Sequence, residues 1–60
     1  MMFELTDELL VIFERIVGGK VYSVYYDPIR RTYDVRFERD NRLQQEEVTA
    51  DRVEETLRKE

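Results

Sequence analysis

The sequence predicts a small two-layer α+β domain: a helix, an antiparallel β-hairpin with a candidate third strand, and a second helix, with both helices on one face of the sheet. Three observations predict it. Residues 9–17 repeat apolar side chains at helical spacing and stop at Gly18-Gly19, residues 32–38 alternate apolar and polar, and Thr49 opens a helix start like the one at Thr6.

In the first element, Thr6 can accept from an orphan backbone amide, Asp7 and Glu8 suit the positive end of the helix dipole, and Leu5 can staple onto Leu10. The helix is expected to run to about Val17, with Gly18 or Gly19 taking the left-handed conformation that ends it. At about 100° per residue, Ile12, Ile16, Leu9, Phe13, Val17 and Leu10 spread over an arc of roughly 160°. That arc is wider than one sheet face usually needs. Val11 falls outside it, amid Asp7, Glu8, Glu14 and Arg15.

Residues 20–26 are rich in Val and Tyr, and residues 32–38 place Tyr33, Val35 and Phe37 on one face with Thr32, Asp34, Arg36 and Glu38 on the other. Asp27-Pro28 makes a turn between them, since Asp27 can bond the backbone ahead and Pro28 presets φ. A loop over residues 27–30 would set Tyr22, Val24 and Tyr26 on the same face as Tyr33, Val35 and Phe37. Asp40-Asn41 is a second turn signal, and residues 42–48 are the candidate third strand, polar through Gln44, Gln45, Glu46 and Glu47 as suits a sheet edge. Thr49 then caps the second helix, with Val48 and Val53 in the staple positions. Its apolar stripe is narrow, Ala50, Val53 and Leu57, beside favourable pairs of Glu54 with Arg58 and Glu55 with Lys59.

Sixty residues hold one core, so residues 1–60 are expected to form a single domain. The chain has no cysteine and no histidine. Disulfides, thiolate metal sites and nucleophilic or acid–base arrangements built on those residues are therefore excluded. The one serine, Ser23, has no neighbouring base in sequence and reads as an ordinary strand residue. Gly18-Gly19 lacks the further glycines and lysine of a phosphate-binding loop. Glu47, Asp51, Glu54 and Glu55 match no calcium-loop spacing and read as a solvated helix start. No catalytic residue, metal or cofactor is expected.

The apolar run from Leu9 to Phe13 is far shorter than the roughly 20 residues that cross a bilayer, and Glu4, Asp7 and Glu8 do not resemble the basic start of a secretory signal. A cytoplasmic protein without membrane contact is expected. The net charge of −4 disfavours generic nucleic-acid binding, yet it divides unevenly: residues 1–19 carry −3, residues 20–42 carry +2 and residues 43–60 carry −3.

The element order resembles that of the double-stranded RNA-binding domain. That domain carries a basic run at its second helix, whereas Thr49-Ala50-Asp51-Arg52 is followed here by Glu54 and Glu55, so no membership follows.

Two features rise slightly above that background. The broad face of the first helix, around Leu9, Val11, Ile12, Phe13 and Ile16, is a candidate protein interface, most simply of a symmetric homodimer. In the hairpin, Tyr25, Arg30, Arg31 and Arg36 are candidate contacts to a ligand or nucleic acid. The folding alternative places most of the tyrosines in the core and pairs the hairpin arginines with Asp34, Glu38 and Asp40. The function expected is a small non-enzymatic protein-interaction module, a homodimeric regulator, adaptor or inhibitor. A nucleic-acid-binding protein using the Arg- and Tyr-rich hairpin is the alternative.

Overall fold

The computed structural model describes residues 6–59. The elements run α1 (Asp7–Val17), β1 (Lys20–Asp27), β2 (Thr32–Arg39), β3 (Arg42–Thr49) and α2 (Ala50–Arg58). The strands form one antiparallel sheet in the order β1-β2-β3, so the candidate third strand forms. Both helices supply side chains to one core with one face of that sheet: Ile12, Phe13 and Val17 from α1, Val53 from α2, and Val21, Val24, Val35, Phe37 and Val48 from the strands.

Each helix begins on a threonine. The Thr6 hydroxyl accepts from Leu9 N at 3.3 Å and Thr49 from Arg52 N at 3.2 Å, which satisfies amides that have no partner within the helix. Leu5 lies outside the described residues, so the first staple has no counterpart there, whereas Val48 and Val53 both enter the core. The two glycines after α1 are required for different reasons. Gly18 takes φ 69° and donates its N–H to the Glu14 carbonyl oxygen. Gly19 has an ordinary φ, but a Cβ there would collide with the Glu38 carbonyl oxygen on β2 and press on the Phe37 ring.

The hairpin departs from the expected register in two ways. Its loop is residues 28–31, closed by the pair Asp27 and Thr32, so each strand pair is displaced along the sheet from a loop over 27–30. The displacement is by two residues, which leaves Val24 and Tyr26 facing the same side as Val35 and Tyr33. A β-bulge between Val21 and Ser23 then breaks the alternation, with Tyr22 as the extra residue. Val21, opposite Phe37, is buried in place of Tyr22, which is 51% exposed. Glu14 of α1 completes this corner by accepting from Val21 N at 3.1 Å.

Asp40 and Asn41, at φ 55° and 62°, form the two-residue turn between β2 and β3, the left-handed pair that matches strand twist. That turn fixes the β3 register from Arg39 opposite Arg42 to Thr32 opposite Thr49. Val48 is the one β3 residue in the core, as the polar run from Gln44 to Glu47 implies.

Candidate functional site

The two faces of the sheet differ sharply. One is covered by the helices. The other carries Tyr22, Ser23 and Tyr25 from β1, Asp34, Arg36 and Glu38 from β2, and Leu43, Gln45 and Glu47 from β3, which the pairing arranges in cross-strand rows. Ser23, Arg36 and Gln45 make one row, Tyr25, Asp34 and Glu47 the next, and Glu38 lies beside Leu43. Tyr25 is 53% exposed and Leu43 77% exposed. A shallow depression of about 740 Å³ is lined by Tyr22, Ser23, Arg36, Glu38, Leu43 and Gln45. No carboxylate of the described residues makes an ion pair with Arg36, which leaves its charge at the middle of this face.

The helix 1 candidates are placed elsewhere. Phe13 and Ile12, at 0% and 2% exposure, are interior residues of a single chain and are not available to a partner. Leu9 and Ile16 are half-buried and pack against the same core. The arc that looked too wide for one sheet face is filled by three strands and α2 together. Val11 alone of that group is exposed, bordering a small hollow with Glu8 and Leu57.

The hairpin candidates separate into two groups. Arg30 and Arg31 sit in the turn and answer acids of other elements, Arg30 reaching Glu47 at 3.0 Å and Arg31 reaching Glu54 and Asp51 at 3.8 and 4.0 Å. Ala50 N also donates to the Arg31 carbonyl oxygen at 2.9 Å, tying the turn to the start of α2. Asp27 organises the turn as expected, its Oδ1 accepting from Ile29 N and Arg30 N. The two turn arginines therefore have a folding explanation, although not through Asp34, Glu38 or Asp40. Tyr25 and Arg36 lie on the open face, with Arg36 four residues along β2 from Thr32, about 13 Å from the turn. Through Glu47 the Arg30 guanidinium nevertheless reaches the row of Tyr25 on the open face, whereas Arg31 turns to α2, so the four residues do not form one site.

Tyr26 and Tyr33 lie on the helix side. Tyr33 meets Phe13 edge-on at 5.1 Å between ring centres and Tyr26 at 4.7 Å. Burial raises the Tyr33 phenol above the ordinary tyrosine value, Tyr26 and Glu54 add to that effect, and Arg31 opposes it.

Sequence reasoning missed Tyr22, Ser23 and Leu43 as members of the open face. Leu43 was legible, because a two-residue turn at Asp40-Asn41 sets it opposite Glu38, a residue already assigned outward. Tyr22 was not, since nothing local announces the bulge. Among the described residues no group of three or more acids is arranged to hold a metal ion; Glu55 pairs with Lys59 at 3.3 Å, while Glu47 and Glu54 answer the turn arginines. No described helix is long and apolar enough to cross a membrane. No family model, curated protein or solved structure matches the chain.

Proposed function

We propose that the chain is a small non-enzymatic protein-interaction module of the cytoplasm, acting as a homodimeric regulator, adaptor or inhibitor, and that its partner-binding surface is the open face of the sheet. The observation that carries this reading is the exposure of Tyr22, Tyr25 and Leu43 around Arg36 on a face with no covering layer among the described residues. Tyrosine buries large area at small entropic cost, and tyrosine and arginine both recur at binding hot spots. A contact through α1 would have only Val11 and the partly exposed Leu9 and Ile16, because Ile12 and Phe13 are buried in the core, so the sheet supplies the better surface.

Affinity capture from the source cells with wild type, Leu43→Asp and Val11→Asp tests it. Leu43 is the most exposed large hydrophobic of the face and lies on β3, so its aspartate variant should fold normally and lose the captured partner, while Val11→Asp keeps it. Equal capture by all three would overturn the assignment of the face.

The second reading is binding of single-stranded nucleic acid, favoured by Arg36 beside stacking-competent Tyr22 and Tyr25. Asp34, Glu38 and Glu47 on the same face oppose it. Titrating labelled DNA and RNA oligomers at two salt concentrations separates the readings: affinity that falls with salt and with Arg36→Ala would support the nucleic acid.

A further inference from the structure

We infer that two copies of the chain join through the free edges of β1, in antiparallel register about Val24, to make one six-stranded sheet with all four helices on the same side. The inference rests on the reading of the chain as a protein-binding module and names a second copy as one of its partners. Every edge strand presents unpaired backbone groups along its outer side, and proteins that stay monomeric usually blunt such edges with charge, proline or short length. The two edges of this sheet differ in that respect. β3 runs through Gln44, Gln45, Glu46 and Glu47, and pairing it with itself about Gln45 would set Gln44 against Glu46 and Leu43 against Glu47, with acids massed on both strands. β1 reads Lys-Val-Tyr-Ser-Val-Tyr-Tyr-Asp, eight residues of high strand preference with charge only at its two ends. Pairing β1 with β3 would be head-to-tail and open-ended, whereas pairing of β1 with β1 closes on itself.

Charge and shape select the register. Lys20 and Asp27 are the first and last residues of β1, and they carry opposite charges. With Val24 on the two-fold axis, Lys20 of each copy lies opposite Asp27 of the other, giving two ion pairs across the junction. Asp27 binds the turn amides through Oδ1, which leaves Oδ2 for the lysine. The bulge fits this register, because Tyr22 and Ser23 together oppose the single residue Tyr25, the two-against-one count a bulge requires. Tyr25 of each copy thereby covers Tyr22 of the other on the open face, where each is half exposed in one chain alone. Glu14 already occupies the Val21 amide, so the pairing is carried by the centre of the strand around Val24 rather than by its first residues.

The test uses the whole chain. Sedimentation equilibrium from micromolar to about millimolar concentration should show a dimer, and Lys20→Glu, an exposed change that sets like charges opposite each other twice, should weaken it about tenfold or more with the circular dichroism spectrum unchanged. The chain has no cysteine, so Ser23→Cys and Tyr25→Cys each carry one thiol. Mixed and oxidised, these two exposed variants should yield the heterodisulfide well above its statistical share, because residue 23 of one copy faces residue 25 of the other. A monomer throughout the concentration range would overturn the inference. So would a dimer indifferent to Lys20→Glu that forms only statistical disulfides. Either failure leaves the Leu43→Asp capture result intact, so loss of the dimer and loss of the binding-module reading are told apart.

Discussion

The guanidinium of Arg39 on β2 donates from Nη1 to the carbonyl oxygen of Val17 at the end of α1, at 2.9 Å, across 22 residues of sequence. The same side chain lies over the Phe37 ring at 5.4 Å and reaches Gln44 Oε1 from Nη2 at 3.2 Å. A cation placed at the negative end of a helix, bonding one of its last carbonyls, ties the first layer to the second. Arg39→Ala should lower stability by about 1 kcal/mol, or several degrees in melting temperature for a domain this small, with Arg39→Lys recovering part of the loss. Thermal melts of the three proteins would show it, and equal melting temperatures would mean that the contact contributes nothing.

Gly18 and Gly19 should differ in their response to alanine. At Gly18 the added methyl meets open space and the cost is conformational, about 1 kcal/mol, which Asn in place of Ala should reduce. At Gly19 the methyl drives into the Glu38 backbone, and roughly 2–3 kcal/mol is expected because a strand cannot move aside as a side chain can. Urea denaturation ranks the two, and a smaller loss at Gly19 would contradict the close approach.

Arg31 holds φ 55°, a left-handed conformation that costs a residue with a Cβ about 1 kcal/mol, and its ion pairs to Asp51 and Glu54 are exposed and long. Such pairs are worth about 0.5 kcal/mol or less. Arg31→Gly is therefore expected to leave stability unchanged or raise it by roughly 0.5 kcal/mol, measured by the urea midpoint. A clear destabilisation would show that the pairs outweigh the strained backbone.

Burial contrasts Val11 with Phe13 on the same helix. Val11→Asp should change stability by about 0.5 kcal/mol or less, whereas Phe13→Ala empties the centre of the core and should cost roughly 3–5 kcal/mol, comparable with the whole stability of a domain of this size. Circular dichroism at room temperature separates the outcomes, a folded spectrum for the first variant and a largely unfolded one for the second.

Stability should decline in alkali through Tyr33. Because burial raises its phenol above the ordinary value, the folded chain keeps the proton at a pH where the unfolded chain has released it. The unfolded state then binds fewer protons, so this contribution is constant well below about pH 10 and stability is lost as pH rises past that value. Tyr33→Phe, which keeps the ring, should flatten the alkaline limb in urea midpoints compared between neutral pH and about pH 10.5.

Local signals in the sequence determined the kind and order of the elements and most of their boundaries to within a residue, though not the loop of the first hairpin. Thr6 and Thr49 cap because their hydroxyls reach amides three residues ahead, Asp27 folds its turn through amides two and three residues ahead, and Asp40-Asn41 selects a two-residue hairpin, all interactions between near neighbours in the chain. The tertiary structure alone decided how the elements are used. Whether the arc of α1 is core or interface depends on how much sheet lies beneath it, and the third strand and α2 supply enough to bury Ile12 and Phe13. Whether Tyr22 faces the core depends on the bulge, which exists because Val21 packs opposite Phe37 while Glu14 holds its amide. Whether Arg30 and Arg31 are free depends on Glu47, Asp51 and Glu54, brought to the turn only when β3 and α2 are in place. A helical or strand period records which side of one element is apolar, but the partner that covers that side is chosen by contacts between residues distant in sequence, and those exist only once the layers have packed.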